Sequence, residues 1–196
     1  MVQAQLVSGR PPPGGGREVH YDRPVSEPVR TPYPPDLEPG QVPLREFGDL
    51  SDAIVEQVDR MNETARRTRA RRLVVRHCRF SGSEFGESTL TDVTFADCRL
   101  DLVGLRHARL ERVRFEGCRM AECDLSGAQL TDVGFEECDL RGATFSDVSV
   151  RRVSFHGCDL LGALGASSLR GSRMAWDDVL ANAPTLASAL GIEIVD

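Results

Sequence analysis

The sequence predicts an all-β solenoid made of four-sided coils, and three periodic features predict it. From Val75 to Leu160 every fifth residue is apolar, at 18 of 18 positions. Two residues before each of these stands Ala, Cys, Ser or Val at 17 of 18 positions, with Leu73 the larger exception. Finally, cysteine and phenylalanine each recur every 20 residues, as Cys78, Cys98, Cys118, Cys138 and Cys158 and as Phe95, Phe115, Phe135 and Phe155.

A period of five excludes a helix, whose period is 3.6, and an ordinary strand, whose period is 2.0. It fits a coil with short sides of five residues, each directing one large and one small residue inward and three residues outward. The period of 20 then makes four sides per coil. Residues 20 apart lie above one another at about 4.8 Å, the spacing of paired strands. Residues 71–170 are therefore expected to form five coils with a cysteine ladder and a phenylalanine ladder inside.

Several five-residue units resemble those of a known family. The stretches CDLSG at 123–127, CDLRG at 138–142 and CDLLG at 158–162 are similar to the A(D/N)LXX unit of pentapeptide-repeat proteins. This resemblance implies a right-handed quadrilateral β-helix with α-helical N- and C-terminal caps. It implies little about activity, because the family is named for its scaffold and fold does not determine function.

Composition divides the chain into four segments. Residues 1–43 hold ten of the eleven prolines and are expected to be a disordered Pro/Gly-rich tail. Residues 44–70 are expected to be an amphipathic capping helix, residues 71–173 the β-helix, and residues 174–196 a C-terminal helical cap or dimerisation element. The apolar stripe of the first helix comprises Phe47, Leu50, Ile54, Val58 and Met61. It would cover the first coil or, alternatively, be exposed to a partner.

The C-terminal segment has helical spacing. Trp176, Val179 and Leu180 fit one helical face, and Pro184 can open a second short helix. Leu186 and Leu190 supply the apolar residues of that second helix. These residues are expected to cap the last coil. Some pentapeptide-repeat proteins dimerise through such an element, so the resemblance also implies a homodimer as an alternative.

The charge balance favours a soluble protein over a nucleic-acid-binding one. The chain has 24 basic residues, all arginine, and 30 acidic ones, for a net charge of −6. No direct nucleic-acid binding is therefore expected. No apolar run is long enough to predict a membrane span, and no secretory signal is visible. Six cysteines without such a signal favour a cytoplasmic protein, where thiols stay reduced.

No residue pattern indicates catalysis, a cofactor or a metal. All six cysteines stand at the small inward positions, with no C-x-x-C pair, and are expected to be structural thiols. The four histidines are scattered, and none is joined by the repeat to a nucleophile and a carboxylate. The sequence therefore predicts that the protein is not an enzyme.

The outward-facing charges are sorted by side. Arg79, Arg99 and Arg119 share a column that continues as Asp139 and Asp159, and a neighbouring side carries Asp97, Glu116, Glu136 and Glu137. Stacked arginines repel one another unless something compensates them. Either the nearby carboxylates neutralise the arginines, or the column is a bipolar docking face for another protein.

Two functions follow from these features. The first is a non-catalytic protein-interaction or scaffold module that uses the flat charged faces of the β-helix, with a partner whose identity is open. The second is implied by the family resemblance: a DNA-mimic regulator or protector of DNA gyrase or another type II topoisomerase. A DNA mimic needs a dense negative potential, whereas residues 71–170 hold 14 Arg and 15 acidic residues, a net charge of −1.

Overall fold

The chain folds as a β-solenoid, as predicted. The structure is a computed structural model that describes residues 29–32 and 50–195. Its main strands start about 20 residues apart and form one parallel sheet in sequence order. They are β1 (Leu50–Glu56), β2 (Arg69–Arg76), β3 (Thr89–Ala96), β4 (Arg109–Glu116), β5 (Gln129–Glu136), β6 (Ser149–His156) and β7 (Arg173–Met174).

The coils are stacked with a register of 20 residues. Val93 pairs with Val113, and Val113 pairs with Val133. Each strand from β2 to β6 turns a corner and so covers two sides of the coil. The other two sides are held by single parallel bridges, such as Arg79 to Arg99 and Glu84 to Gly104. Neighbouring coils therefore hydrogen-bond on all four sides.

Each corner needs a left-handed residue. From Asp52 to Gly162 every fifth residue has a φ between 50° and 72°, and 17 of these 23 corner residues are not glycine. The left-handed conformation costs an ordinary residue roughly 1–2 kcal/mol. The backbone hydrogen bonds between coils, for example from Arg99 N–H to the Cys78 carbonyl at 2.9 Å, offset that cost.

The two interior ladders form as predicted. The rings of Phe95, Phe115, Phe135 and Phe155 stack with centroids 4.9–5.1 Å apart and interplanar angles of 4–6°. All six cysteines are buried and free. The Cys98 thiol donates to the carbonyls of Ala96 at 3.3 Å and Val75 at 3.5 Å, and the other four cysteines of the ladder make equivalent contacts. Burial raises the pKa of the Cys123 thiol, which keeps it protonated and unreactive.

The predicted N-terminal capping helix is wrong over residues 50–70. This segment begins with β1 and runs through the turns of an additional coil to the start of β2. Ala53 and Val55 are buried, whereas Met61, at the end of the predicted stripe, is 44% exposed. The physical reason is that β1 pairs along β2 and so satisfies the backbone N–H and C=O groups at the edge of β2. A helix lying over that edge would leave these groups unpaired. The solenoid therefore has about six coils rather than five, and its described part starts at Leu50 instead of residue 71. Residues 44–49 lie outside the described residues.

The C-terminal end is capped by two short helices, as the sequence predicted. After the 3-10 helix Ala166–Leu169 and β7 come α1 (Trp176–Ala181) and α2 (Ala183–Ala189). The Asn182 side chain accepts from Leu160 N–H at 2.7 Å and donates to the Cys158 carbonyl at 2.9 Å. The Thr185 hydroxyl donates to the Leu160 carbonyl at 3.1 Å. Side chains thus replace the hydrogen bonds that another coil would provide.

The predicted disordered tail, residues 1–43, lies outside the described residues apart from 29–32. Within that short piece, the backbone N–H of Arg30 donates to Asp132 Oδ1 at 3.2 Å. Among the described residues, no helix has both the length and the apolar character needed to cross a membrane.

We expect Phe115→Ala to lower the free energy of unfolding by about 3–5 kcal/mol, because Phe115 is fully buried and stacks on two rings. Phe95→Ala should cost less, since Phe95 is only partly buried and stacks on one ring of the ladder. Urea denaturation followed by circular dichroism measures both. If the two variants lost the same free energy of unfolding, a larger contribution from the middle ring than from the end ring of the ladder would be contradicted.

Candidate interaction surface

One outward row of the solenoid carries the predicted charged residues. Parallel bridges join six residues in a single row, which we call the charged column: Asp59, Arg79, Arg99, Arg119, Asp139 and Asp159. The structure therefore brings together the three arginines and two aspartates predicted from the sequence. It adds Asp59, which belongs to the coil that the sequence analysis had assigned to a helix.

Some charged residues of the column form ion pairs with neighbouring side chains, and others do not. Arg119 lies 3.4 Å from Asp101, and Arg141 contacts both Asp139 at 2.6 Å and Asp159 at 3.7 Å. Arg141 holds the pKa of Asp139 below its usual range. In the described part of the chain, no carboxylate oxygen lies within 4.0 Å of the guanidinium of Arg79 or Arg99. A direct ion pair to a carboxylate therefore forms at Arg119. Arg79 and Arg99 form none among the described residues, although Asp59 and Asp97 lie nearby.

Arg79 and Arg99, which form no ion pair among the described residues, border a groove. It has a volume of about 350 Å³ and lies between the corner residues and the charged column in the first three coils. We call it the arginine groove; its lining is Gln57, Val58, Asp59, His77, Cys78, Arg79, Asp97 and Arg99. The Nε atom of Arg79 is buried, and no atom of the described residues accepts a hydrogen bond from it. Two like charges 4 Å apart in water repel by about 1 kcal/mol. Asp59 and Asp97 offset this repulsion in part, but neither forms an ion pair with Arg79 or Arg99 in the described residues.

The four acidic residues predicted on the neighbouring side do not form one patch. Asp97 belongs to the arginine groove and lies 3.9 Å from His77 Nδ1. Glu136 accepts a hydrogen bond from Arg114 at 3.0 Å. Glu116 pairs in register with Glu136, and Glu137 stands at the following corner. The side is therefore a mixture of charges and not a continuous acidic face.

The solenoid carries a second charged row that was not predicted from the sequence. The corner residues Asp52, Arg72, Asp92, Arg112, Asp132 and Arg152 alternate in charge at intervals of 20. Each arginine makes a two-pronged contact with the aspartate before it: Arg112 with Asp92 at 2.6 and 3.0 Å, and Arg152 with Asp132 at 2.5 and 2.6 Å. A search for period-20 patterns among the outward residues would have found this alternating column.

The alternating column has a structural role, because each of its arginines forms an ion pair with the aspartate of the preceding coil. The side chains of Asp92 and Asp132 are only 5% and 2% exposed. Arg152 holds the pKa of Asp132 below its usual range. Bidentate contacts between guanidinium and carboxylate are among the strongest hydrogen bonds in proteins. This column therefore stabilises the contact between neighbouring coils, and its neutralised charges offer little attraction to a partner.

The predicted C-terminal residues divide into two sets. Val179 and Leu186 are half-buried against the end of the solenoid. Trp176, Leu180 and Leu190 are 73%, 56% and 69% exposed. Capping therefore involves the first set and the polar side chains of Asn182 and Thr185, while the second set forms an apolar surface.

The described residues contain no cluster of three or more His, Cys, Asp or Glu side chains that could hold a metal ion. His77 and His156 each lie near one carboxylate, at 3.9 Å from Asp97 and 3.6 Å from Asp178. The cysteines nearest in sequence to these histidines, Cys78 and Cys158, are buried. The surface is suited to binding through charge.

Two family profiles match the repeating part of the chain. One, described as a pentapeptide repeat region, matches residues 72–145, and the other, described as pentapeptide repeats in eight copies, matches residues 135–164. Residues 72–164 of the chain belong to the pentapeptide-repeat family. Neither match indicates a catalytic family. No curated protein sequence matches the chain significantly.

Several solved structures resemble this pentapeptide-repeat protein. A trypsin-treated form of QnrB1, described as a plasmid-mediated fluoroquinolone resistance protein, is 17% identical over 76% of this chain and 98% of that chain, with a TM-score of 0.37. Rfr23 from the cyanobacterium Cyanothece 51142 is 15% identical over 59% and 90%, with a TM-score of 0.32. HetL from Nostoc sp. strain PCC 7120, described as involved in heterocyst differentiation regulation, is 13% identical over 63% and 90%, with a TM-score of 0.22. At these identities and TM-scores, the similarity says nothing about activity or partners.

Replacing Asp132 by Asn should destabilise the protein by about 3 kcal/mol at neutral pH, because it leaves Arg152 with a weaker, uncharged partner. A carboxyl with a lowered pKa stabilises the fold above its ordinary pKa of 3.8, and this contribution is lost as the pH falls through the folded-state value. The variant should therefore lose less stability on acidification than the wild type. Urea unfolding at a series of pH values measures this.

The matched control is Asp97→Asn, since the Asp97 side chain is 64% exposed. It should change the stability at neutral pH by less than about 0.5 kcal/mol. An Asp132→Asn variant as stable as this control would contradict a structural role for the alternating column.

Proposed function

We propose that this pentapeptide-repeat protein is a non-catalytic interaction module that binds a partner protein through its charged column. The observation that supports this most directly is the pair of arginines in register, Arg79 and Arg99, neither of which has a carboxylate oxygen of the described residues within 4.0 Å of its guanidinium. The same chain neutralises arginines elsewhere, in the alternating column and at Arg119. Other described arginines, such as Arg109 and Arg170, also form no ion pair, but Arg79 and Arg99 lie next to each other in one row. This adjacency favours a role outside the fold.

The scaffold is suited to such a role. Coils that hydrogen-bond on four sides hold the charged column at a fixed spacing, so little conformational entropy is lost when a partner binds. Arginine is also among the residues that contribute most to binding energy at protein interfaces. The column changes sign between Arg119 and Asp139, so a partner of complementary charge would bind in one orientation.

The alternative, a DNA mimic acting on gyrase or another type II topoisomerase, has less support. A mimic of duplex DNA needs closely spaced negative charge along the rod. In the described residues, the charged column holds three arginines, the alternating column is neutral, and the acidic side is interrupted by Arg76 and His156. The interaction module therefore fits the charge distribution better.

We propose that the protein is not an enzyme and that it functions in the cytoplasm. The six free, buried cysteines fit a compartment where thiols stay reduced.

The proposal is tested by capturing partners from a lysate of the source organism with the wild type and with Arg99→Glu/Arg119→Glu. We expect at least one protein to bind the wild type and to lose affinity by ~tenfold or more after charge reversal, because like charges then face each other across the interface. The captured protein is purified, and its affinity is measured by calorimetry.

Two matched Arg→Glu changes serve as the control, made at Arg109 and Arg170, exposed arginines outside the charged column. This double variant alters the net charge by the same amount and should retain the partner. Capture of the same proteins at the same affinity by all three forms would overturn the proposal.

We further propose that the exposed apolar residues of the C-terminal cap mediate self-association. Eight of the ten large apolar side chains that are exposed in the described residues lie between Leu161 and Val195. Such a concentration is typical of an interface.

Sedimentation equilibrium should therefore show a dimer whose population rises with concentration. Trp176→Ser/Leu180→Ser should shift the protein to monomer, whereas Leu102→Ser, which removes a leucine 58% exposed on a solenoid side, should not. A wild type that stays monomeric at all concentrations would rule out this dimer.

A further inference from the structure

We propose that the arginine groove binds a carboxylate side chain, Asp or Glu, of the partner polypeptide, held between the guanidinium groups of Arg79 and Arg99. This inference rests on the proposed interaction function and specifies the chemistry that the partner must present. It concerns the first three coils, where the groove lies, and does not involve the C-terminal cap.

The groove contains donors that lack acceptors. Arg79 Nε is buried without an acceptor among the described residues. Buried polar groups in proteins nearly always have a hydrogen-bond partner, so an acceptor that enters the groove would satisfy this donor once the Arg79 side chain turns toward it. Arg99 lies one coil away, directly in register with Arg79. Two guanidinium forks stacked at the coil spacing can donate to both oxygens of one carboxylate.

The lining distinguishes between kinds of anion. Two carboxylates, Asp59 and Asp97, lie in the same groove as the two arginines. With His77 neutral, the formal charge of the lining is therefore zero. A polyanion such as DNA, or a free phosphate dianion, would meet both aspartates as well as the arginines. A single carboxylate can contact the arginines while N–H groups of its own backbone face the aspartates, so the groove favours a polypeptide.

The remaining lining suits a side chain that enters from a partner surface. Val58 is partly buried against the core. The Cys78 thiol donates to the carbonyls of Val55 and Arg76. Neither competes for the incoming carboxylate. Gln57 is exposed at the corner and can hydrogen-bond the partner's backbone. The groove volume of about 350 Å³ leaves space for a whole side chain.

The test uses the full-length protein labelled with ¹⁵N and follows the Nε–H resonances of its arginines during titration with a capped glycine peptide that carries one central glutamate. We expect the resonances of Arg79 and Arg99 to shift with saturation. Arg79→Gln/Arg99→Gln should weaken binding of this glutamate peptide by ~tenfold or more, because two charge-assisted contacts are lost. The control Arg109→Gln/Arg170→Gln removes the same charge elsewhere and should stay within about twofold of the wild type. Unchanged circular dichroism verifies that both variants fold.

Separate titrations with inorganic phosphate and with single-stranded DNA identify the preferred anion. Tighter binding of either at Arg79 and Arg99 would overturn the assignment of a carboxylate. Equal weakening in the two double variants, or no shift at Arg79 and Arg99, would overturn the site itself. Binding of the glutamate peptide without any captured partner would contradict the proposed function but not the groove site. A captured partner without binding of the glutamate peptide would contradict the groove site but not the proposed function.

Discussion

The parallel register of 20 residues is the constraint on which the rest of this structure depends. It places each residue about 4.8 Å from its counterparts in the coils above and below. No side chain can therefore be chosen independently of those 20 positions away. Phe115 stacks on Phe95 and Phe135 because the register leaves its ring no other neighbour along the axis. The same constraint sets the cysteine ladder, where each thiol finds a carbonyl of its own coil and one of the coil before.

The register also fixes what charged residues can do, and this chain contains two different arrangements. In the alternating column each arginine stands above an aspartate, and the contact is short and largely buried. In the charged column three arginines stand in succession, and only Arg119 has a carboxylate of the described residues within ion-pair distance. Since a single Arg to Asp exchange would compensate the stack, stability alone does not account for it. The difference between the two columns is the strongest physical reason to assign binding to one and structure to the other.

The sequence could predict most of the fold because apolar residues at a period of five leave few alternatives. It failed at the first coil for a specific reason. Arg60 and Glu63 occupy positions that are apolar and small in later coils, and they form an ion pair at 3.2 Å. The period of five is thus broken in the first described coil, and the remaining apolar residues there have the spacing of an amphipathic helix. The charged column could be predicted from spacing, whereas the uncompensated state of Arg79 and Arg99 depends on side-chain directions that spacing does not define.

The two ends of the column differ in a way that affects how a partner could bind. At the C-terminal end, Arg141 contacts both aspartates, so their charge is already in part satisfied by the chain itself. At the N-terminal end, the arginines border a groove and lack such contacts in the described residues. Desolvating a satisfied ion pair gains little, whereas supplying an acceptor to an unsatisfied buried donor removes an existing cost. Binding energy should therefore be concentrated in the first three coils, and the aspartates should contribute mainly to the orientation of the partner.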